Sequence, residues 1–287
     1  MPASGLTLVA LIGVAVWART LVSVIPPLLR RWGALRSNFR GDQIVTCGGS
    51  IVVLGALPGL LALQAIHNDN PDLRQALGYA LVAFGALGLV DDIWGSPASR
   101  GLRGHVRALL REGRITSGLI KAVGGLLAAG LIASFALSYK GLAAFGATLA
   151  IALGANTGNL LDLRPGRAGG VLLVLLTFAI GTLAWFGDRV SAAAVATVAI
   201  AAGFTQWEDS ASRLMLGDTG SNALGAATAI AILASLPPDR LWILVALLIA
   251  LHLAAERWSL TKIIARYRLL RYLDGLTGVR DDSRDGT

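Results

Sequence analysis

The chain has 287 residues, 55% of them hydrophobic and only 15% charged, with a formal net charge of +8. Soluble domains carry about a quarter charged residues, so this composition, with a mean hydropathy of +0.67, excludes an ordinary soluble enzyme and implies an integral membrane protein. The basic residues fall in short loops between apolar runs rather than in a groove with interleaved aromatics, so inward-facing positive loops and anionic lipid account for the charge and no nucleic-acid partner is implied.

Apolar runs predict about nine spans: Leu6 to Leu29, Ile44 to Ile66, Gln75 to Val90, Leu119 to Leu137, Leu142 to Leu160, Gly170 to Phe186, Val190 to Thr205, Asn222 to Leu236 and Leu241 to Ala255. The first run has no basic residues ahead of it and exceeds signal-peptide length, so it is expected to stay as a span. The third is short and the fifth ends in polar residues, which marks both as places for irregular helix lining a site. Arg30, Arg31, Arg36 and Arg40 follow span one, Arg100, Arg103, Arg107, Arg111 and Arg114 follow span three, and Arg164 and Arg167 follow span five. Arg213 follows span seven, and Arg257, Lys262, Arg266, Arg268 and Arg271 follow span nine. The opposite loops hold Arg74, Lys140, Arg189 and Arg240. This imbalance predicts an all-α polytopic membrane bundle of about nine to ten transmembrane helices, with the N-terminus outside and the odd-numbered loops cytoplasmic. Residues 1–258 form the membrane domain. In residues 259–287, Leu260, Ile263, Ile264, Tyr267, Leu270 and Leu273 recur at helical spacing among basic residues, which predicts an amphipathic helix at the inner interface.

Three polar clusters then fall on one membrane face. Asp91 and Asp92 end span three, Asn156, Asn159 and Asp162 end span five, and Gly217-Asp218-Thr219-Gly220-Ser221 opens span eight. Ionisable residues at a membrane helix end are functional candidates, and carboxylates at a helix C-terminus oppose its dipole. A divalent cation would relieve the repulsion of the Asp91–Asp92 pair. Asp218 is placed to N-cap the following helix and leave backbone N–H groups for a phosphate. Glu208, Asp209 and His105 read as solvated loop residues, and His252 as a packing or hydrogen-bonding residue. The single Cys47 excludes an intramolecular disulfide and a cysteine metal cluster. The parts suit magnesium-assisted chemistry on a diphosphate, with Arg40 and Arg103 placed to receive an anionic substrate.

The ordered set Asn38-Phe39-Arg40-Gly41, Gly48-Gly49, Val90-Asp91-Asp92, Asn156-x-x-Asn159-x-x-Asp162 and Leu216-Gly217-Asp218-Thr219-Gly220-Ser221 resembles the polyprenyl-phosphate N-acetylhexosamine-1-phosphate transferases. The resemblance implies transfer of a sugar phosphate from a UDP-aminosugar (UDP-GlcNAc or UDP-MurNAc-pentapeptide type) to a polyprenyl phosphate, usually undecaprenyl phosphate, with release of UMP. It implies magnesium, with manganese as the alternative, a cytoplasmic-facing site in a bacterial plasma membrane, a role in cell-wall or envelope polysaccharide synthesis, and a homodimer. It assigns Asp91, Asp92 and Asp162 to catalysis, Asp92 and Asp162 to the metal, and Asn156, Asn159, Asp218, Thr219, Gly220 and Ser221 to substrate. Three positions depart from the pattern. Pro165 replaces the second aspartate of Asp-Gly-x-Asp-Gly, Gly95 stands where a lysine follows the paired aspartates, and Ala254 to Lys262 lacks the usual histidines. A non-catalytic relative that binds lipid phosphate, or that scaffolds envelope-synthesis partners, is the competing expectation.

Overall fold

The computed structural model describes residues 3–37, 41–67, 72–95, 113 and 116–277. Its helices are α1 (Ala3–Arg31), α2 (Ser50–Ile66), α3 (Asp72–Trp94), α4 (Ser117–Leu131), α5 (Gly141–Leu161), α6 (Arg167–Trp185), α7 (Arg189–Ser210), α8 (Gly217–Ser235), α9 (Leu241–Arg257), α10 (Leu260–Arg266) and α11 (Arg268–Thr277). Seven are long and apolar enough to cross a membrane: α1, α3, α4 with its continuation to Ala136, α5, α6, α7 and α9. The chain is an all-α polytopic membrane protein.

The helix α8 is the core of the bundle, buried along nearly its whole length between α3 and α5. Its composition makes that possible, because Gly and Ala let neighbouring backbones approach closely. A methyl at Gly88 of α3 would fall 2.1 Å from the Asp218 carbonyl oxygen, and one at Gly158 of α5 would fall 2.0 Å from that of Ser221. Both crossings therefore need glycine, and both lie at the end of α8 that carries the polar cluster. Three buried threonines return their hydroxyls to their own helix: Thr197, Thr205 and Thr228 donate to the carbonyls of Ala193, Ala201 and Leu224, which offsets the cost of burying them.

Several details differ from expectation. The stretch before α2 is not membrane helix. It forms a small antiparallel ladder, β1 (Leu35–Ser37) with β2 (Gln43–Val45), and then runs beside the entry to α8. Met215 N–H donates to Val45 O at 2.7 Å, Gly48 N–H to Met215 O at 2.9 Å and Gly49 N–H to Leu216 O at 2.8 Å. The helix α3 is longer than its apolar core suggests. Polar residues do not interrupt α5, which is continuous; the irregular helix is instead a π-turn at Ile132–Ala136 after α4. The C-terminal segment breaks at Tyr267, whose extended backbone separates α10 from α11.

Candidate active site

The end of α3, the starts of α4 and α8, and the end of α5 meet at one end of the bundle. Asp91 and Asp92 share the last turn of α3 but face different neighbours. Asp92 is 7% exposed, and its carboxylate sits on the N-terminus of α8. Oδ1 accepts from Asp218 N–H at 3.1 Å, while Oδ2 accepts from Thr219 N–H at 2.9 Å and Thr219 Oγ1 at 2.7 Å. This is an N-cap supplied from another helix: it satisfies two of the amides that α8 leaves open and places a negative charge at the positive end of its dipole. Gly217 makes the approach possible. Its φ is +69°, and a methyl there would lie 2.7 Å from Asp92 Oδ2. The guanidinium of Arg36 in turn donates to the Asp92 carbonyl at 2.6 Å, closing the exposed end of α3.

Asp91 faces the space between α3 and α4. Its Oδ2 accepts from Lys121 Nζ at 2.9 Å, and the same ammonium donates to Asp218 Oδ2. Asn159 completes the group. With its amide turned to satisfy both neighbours, Nδ2 donates to Asp218 Oδ1 at 3.1 Å and Oδ1 accepts from Lys121 at 3.1 Å. Four helices thus contribute Asp91, Lys121, Asn159 and Asp218 to one half-buried polar cluster.

Asp162 caps α5, its N–H donating to the Gly158 carbonyl at 3.2 Å. Burial pushes its carboxyl well above the ordinary range, and the negative charges of Asp209, Asp218 and Asp92 push it further, against a weaker backbone interaction with Gly217. The turn that follows is held from α7. Asp209, 2% exposed, accepts from Gly166 N–H at 3.1 Å, and Gln206 Nε2 donates to the Gly166 carbonyl at 2.8 Å.

The expected site residues sort accordingly. Asp91, Asn159 and Asp218 come together, and Asp162 lies close enough to Asp218 and Asp92 to feel their charge. Asn156 is exposed. Thr219, Gly220 and Ser221 are buried, and the Asp218 and Thr219 amides are taken by Asp92, so these two N–H groups are not open to a phosphate. Arg40, Arg103 and His105 lie outside the described residues. Two functional candidates escaped the sequence reading. Lys121 sits inside an apolar run, where an ionisable residue in a membrane helix is itself a signal. Asp209, expected as a solvated loop charge beyond a span ending at Thr205, is instead buried in a helix that continues to Ser210.

Cys47 lies beside the cap, with φ +60° and 1% exposure. Burial, with the Asp92 charge, pushes its thiol up to about 12.

A phospho-N-acetylmuramoyl-pentapeptide-transferase of Clostridium botulinum (strain Eklund 17B / Type B) is 28% identical to the chain over 211 residues, 70% of this chain and 63% of that protein. The aligned part of the chain thus spans less than two thirds of that relative's length. The model of glycosyl transferase family 4 matches residues 75–236, more than half of the chain and the stretch that holds Asp91, Asp92, Lys121, Asn159, Asp162, Asp209 and Asp218. This chain belongs to glycosyl transferase family 4.

Proposed function

We propose that the protein transfers a sugar-1-phosphate from a UDP-aminosugar to a polyprenyl phosphate at the cytoplasmic face of a bacterial plasma membrane, releasing UMP. The observation that carries this reading is the Lys121 ammonium held between Asp91 and Asp218 at one end of the bundle. A single cation shared by two carboxylates can turn to a diphosphate oxygen without a large cost, because the carboxylates are left partly solvated.

In the reaction, an oxygen of the acceptor phosphate forms a bond to the sugar-bearing phosphorus of the donor. The bond from that phosphorus to the bridging oxygen breaks, and UMP leaves with the electron pair. Lys121 binds the diphosphate and offsets charge that develops on the leaving oxygen. Asp91 Oδ2, released from the ammonium, holds the proton of an acceptor that arrives as the monoanion. Before substrate arrives, Asn159 and Asp218 orient Lys121, and Asp92 holds the start of α8, and with it Asp218, in register.

Magnesium fits as a substrate-completed ion. Among the described residues no three His, Cys, Asp or Glu side chains converge on one point, but magnesium commonly uses one or two carboxylates, with substrate phosphates and water as the remaining ligands. The crowding of negative charge around Asp162 is the setting a divalent cation relieves. Asp162 and Asp218 would hold it; Asp92, with three hydrogen bonds already accepted, is better assigned to the cap than to the metal. Bound there, the ion would neutralise diphosphate charge and polarise the phosphoryl group. The carboxylate missing at Pro165 is no obstacle to the fold of this turn, since Asp209 and Gln206 hold Gly166 instead.

The test is conversion of undecaprenyl phosphate to a sugar-linked lipid diphosphate by purified protein in detergent, across a panel of UDP-aminosugars. We expect product with one donor, and none from the Asp91→Asn or Lys121→Met protein. Product of equal yield from both variants would overturn the assignment.

A further inference from the structure

The C-terminal helix α11 presents three distinct faces at 100° per residue. Leu270, Asp274 and Thr277 share one face, and the last two are docked. Arg167, at the first position of α6 and 4% exposed, grips Asp274 with both branches of its guanidinium, Nε to Oδ1 at 2.6 Å and Nη2 to Oδ2 at 2.8 Å, and its Nη1 reaches Thr261 Oγ1 of α10 at 3.4 Å. Gln206 Nε2 donates to the Thr277 carbonyl at 3.0 Å and also to that of Gly166. A methyl at Gly166 would lie 2.0 Å from the Thr277 carbonyl oxygen, so helix and turn are in direct contact. The turn so gripped, 162–166, begins with Asp162.

The second face is apolar and open. Leu269, Tyr272, Leu273 and Leu276, at i, i+3, i+4 and i+7, are 68%, 65%, 48% and 63% exposed. The third face carries Arg268 and Arg271 alongside the apolar stripe. An open apolar stripe flanked by arginines is the pattern of a helix that lies in a lipid headgroup layer. Tethering supports the same occupant: α9, long enough with its preceding turn to cross the membrane, ends at Arg257, and α10 begins at Leu260, so α10 and α11 start at the bilayer surface.

We propose that α10 and α11 form a clasp that binds an anionic lipid surface through the Leu269–Leu276 stripe with Arg268 and Arg271, and that through Arg167–Asp274 and Thr277 it holds the turn carrying Asp162. Anionic lipid content then sets how firmly that turn is ordered. The importance of Asp162 rests on the transferase reading, but the clasp does not, and it is tested without turnover.

The experiment is hydrogen exchange of the whole protein in nanodiscs of phosphatidylcholine alone or with one third phosphatidylglycerol. We expect exchange in 260–277 and in 162–170 to slow at least about fivefold with phosphatidylglycerol, and to return toward the neutral-lipid rate in high salt. The Arg268→Gln/Arg271→Gln protein, altered only on the exposed face, should lose most of that protection while keeping its exchange pattern in α3, α5 and α8. Equal exchange in the two lipids, or protection unaffected by the double substitution, would overturn the proposal. So would protection that follows the number of protein copies per disc instead of lipid charge, which would mean that a second copy covers the stripe. Slowing in 260–277 without slowing in 162–170 would overturn the coupling to the site.

Discussion

Replacing Asp92 by alanine removes the acceptor of three hydrogen bonds at once and strands Asp218 N–H, Thr219 N–H and Thr219 Oγ1 in a place where Thr219 is 3% exposed. Hydrogen bonds to a charged group contribute about 1.5–3 kcal/mol each, and a buried donor left unpaired costs about 1–3 kcal/mol. The three share one carboxylate and are not additive, so we expect a loss of about 3–5 kcal/mol. Asp92→Asn keeps one carbonyl acceptor but turns an NH2 toward a donor, for a loss of about 1–2 kcal/mol. Asp91→Asn, one residue away, should cost about 1 kcal/mol or less, because Lys121 keeps Asp218 and Asn159 as partners. The assay is unfolding in detergent, followed by circular dichroism during titration with a denaturing surfactant, with turnover measured in parallel. The account predicts a stable, inactive Asp91→Asn protein and a destabilised Asp92→Ala protein. If Asp92→Ala unfolds with the wild type, or if Asp91→Asn is as unstable as Asp92→Ala, the division between a catalytic Asp91 and a structural Asp92 is wrong.

Lys121→Met should lower turnover by at least about a hundredfold and weaken UDP-sugar binding by calorimetry; unchanged binding would remove Lys121 from the diphosphate site. Asp162 gives a pH prediction for the metal-free protein. Its folded pKa lies above the ordinary carboxylate value of about 3.9, so the folded state binds the proton more tightly, and stability is lost as pH rises from about 4 through the folded pKa. Asp162→Asn should therefore unfold at higher denaturant than wild type at pH 7.5 in EDTA, with the gain disappearing toward pH 4; a gain that stays constant with pH would contradict the charge-crowding explanation. Cys47, with its thiol at about 12, should resist N-ethylmaleimide at pH 7 in the native protein and react once unfolded; stoichiometric labelling of native protein within minutes would contradict its burial.

The membrane bundle was legible because apolar length is a direct physical requirement for crossing lipid, and most helices lie over the predicted runs. The polar residues of the candidate site were legible for a related reason. Asp91, Asn159, Asp162 and Asp218 are polar where apolar residues would cost nothing, and the alternation of helix direction brings them to one end. The different partners of Asp91 and Asp92 were not legible, because neighbouring residues on a helix point about 100° apart and only the packing of α3 on α8 decides which meets the Thr219 amide. The resemblance implies a lysine just after the paired aspartates, where Gly95 stands; the ammonium that meets Asp91 and Asp218 comes instead from Lys121 of α4, a tertiary fact with no local spacing. Asp209 was hidden by an error of boundary, since the polar end of α7 reads like a loop until the Gly166 turn is folded against it. The break at Tyr267 escaped for a similar reason: periodicity across 260–273 continues through it, while docking of Asp274 on Arg167 sets the direction of α11.

The most direct measurement of the central claim is UMP release by the purified protein with undecaprenyl phosphate and each UDP-aminosugar in turn, with magnesium and with EDTA. The account predicts release with one donor, dependent on both the lipid and the ion, and absent from Lys121→Met. Absence of release with every donor, from protein that keeps its helical content and binds undecaprenyl phosphate, would contradict the transferase and leave a lipid-phosphate-binding relative in its place.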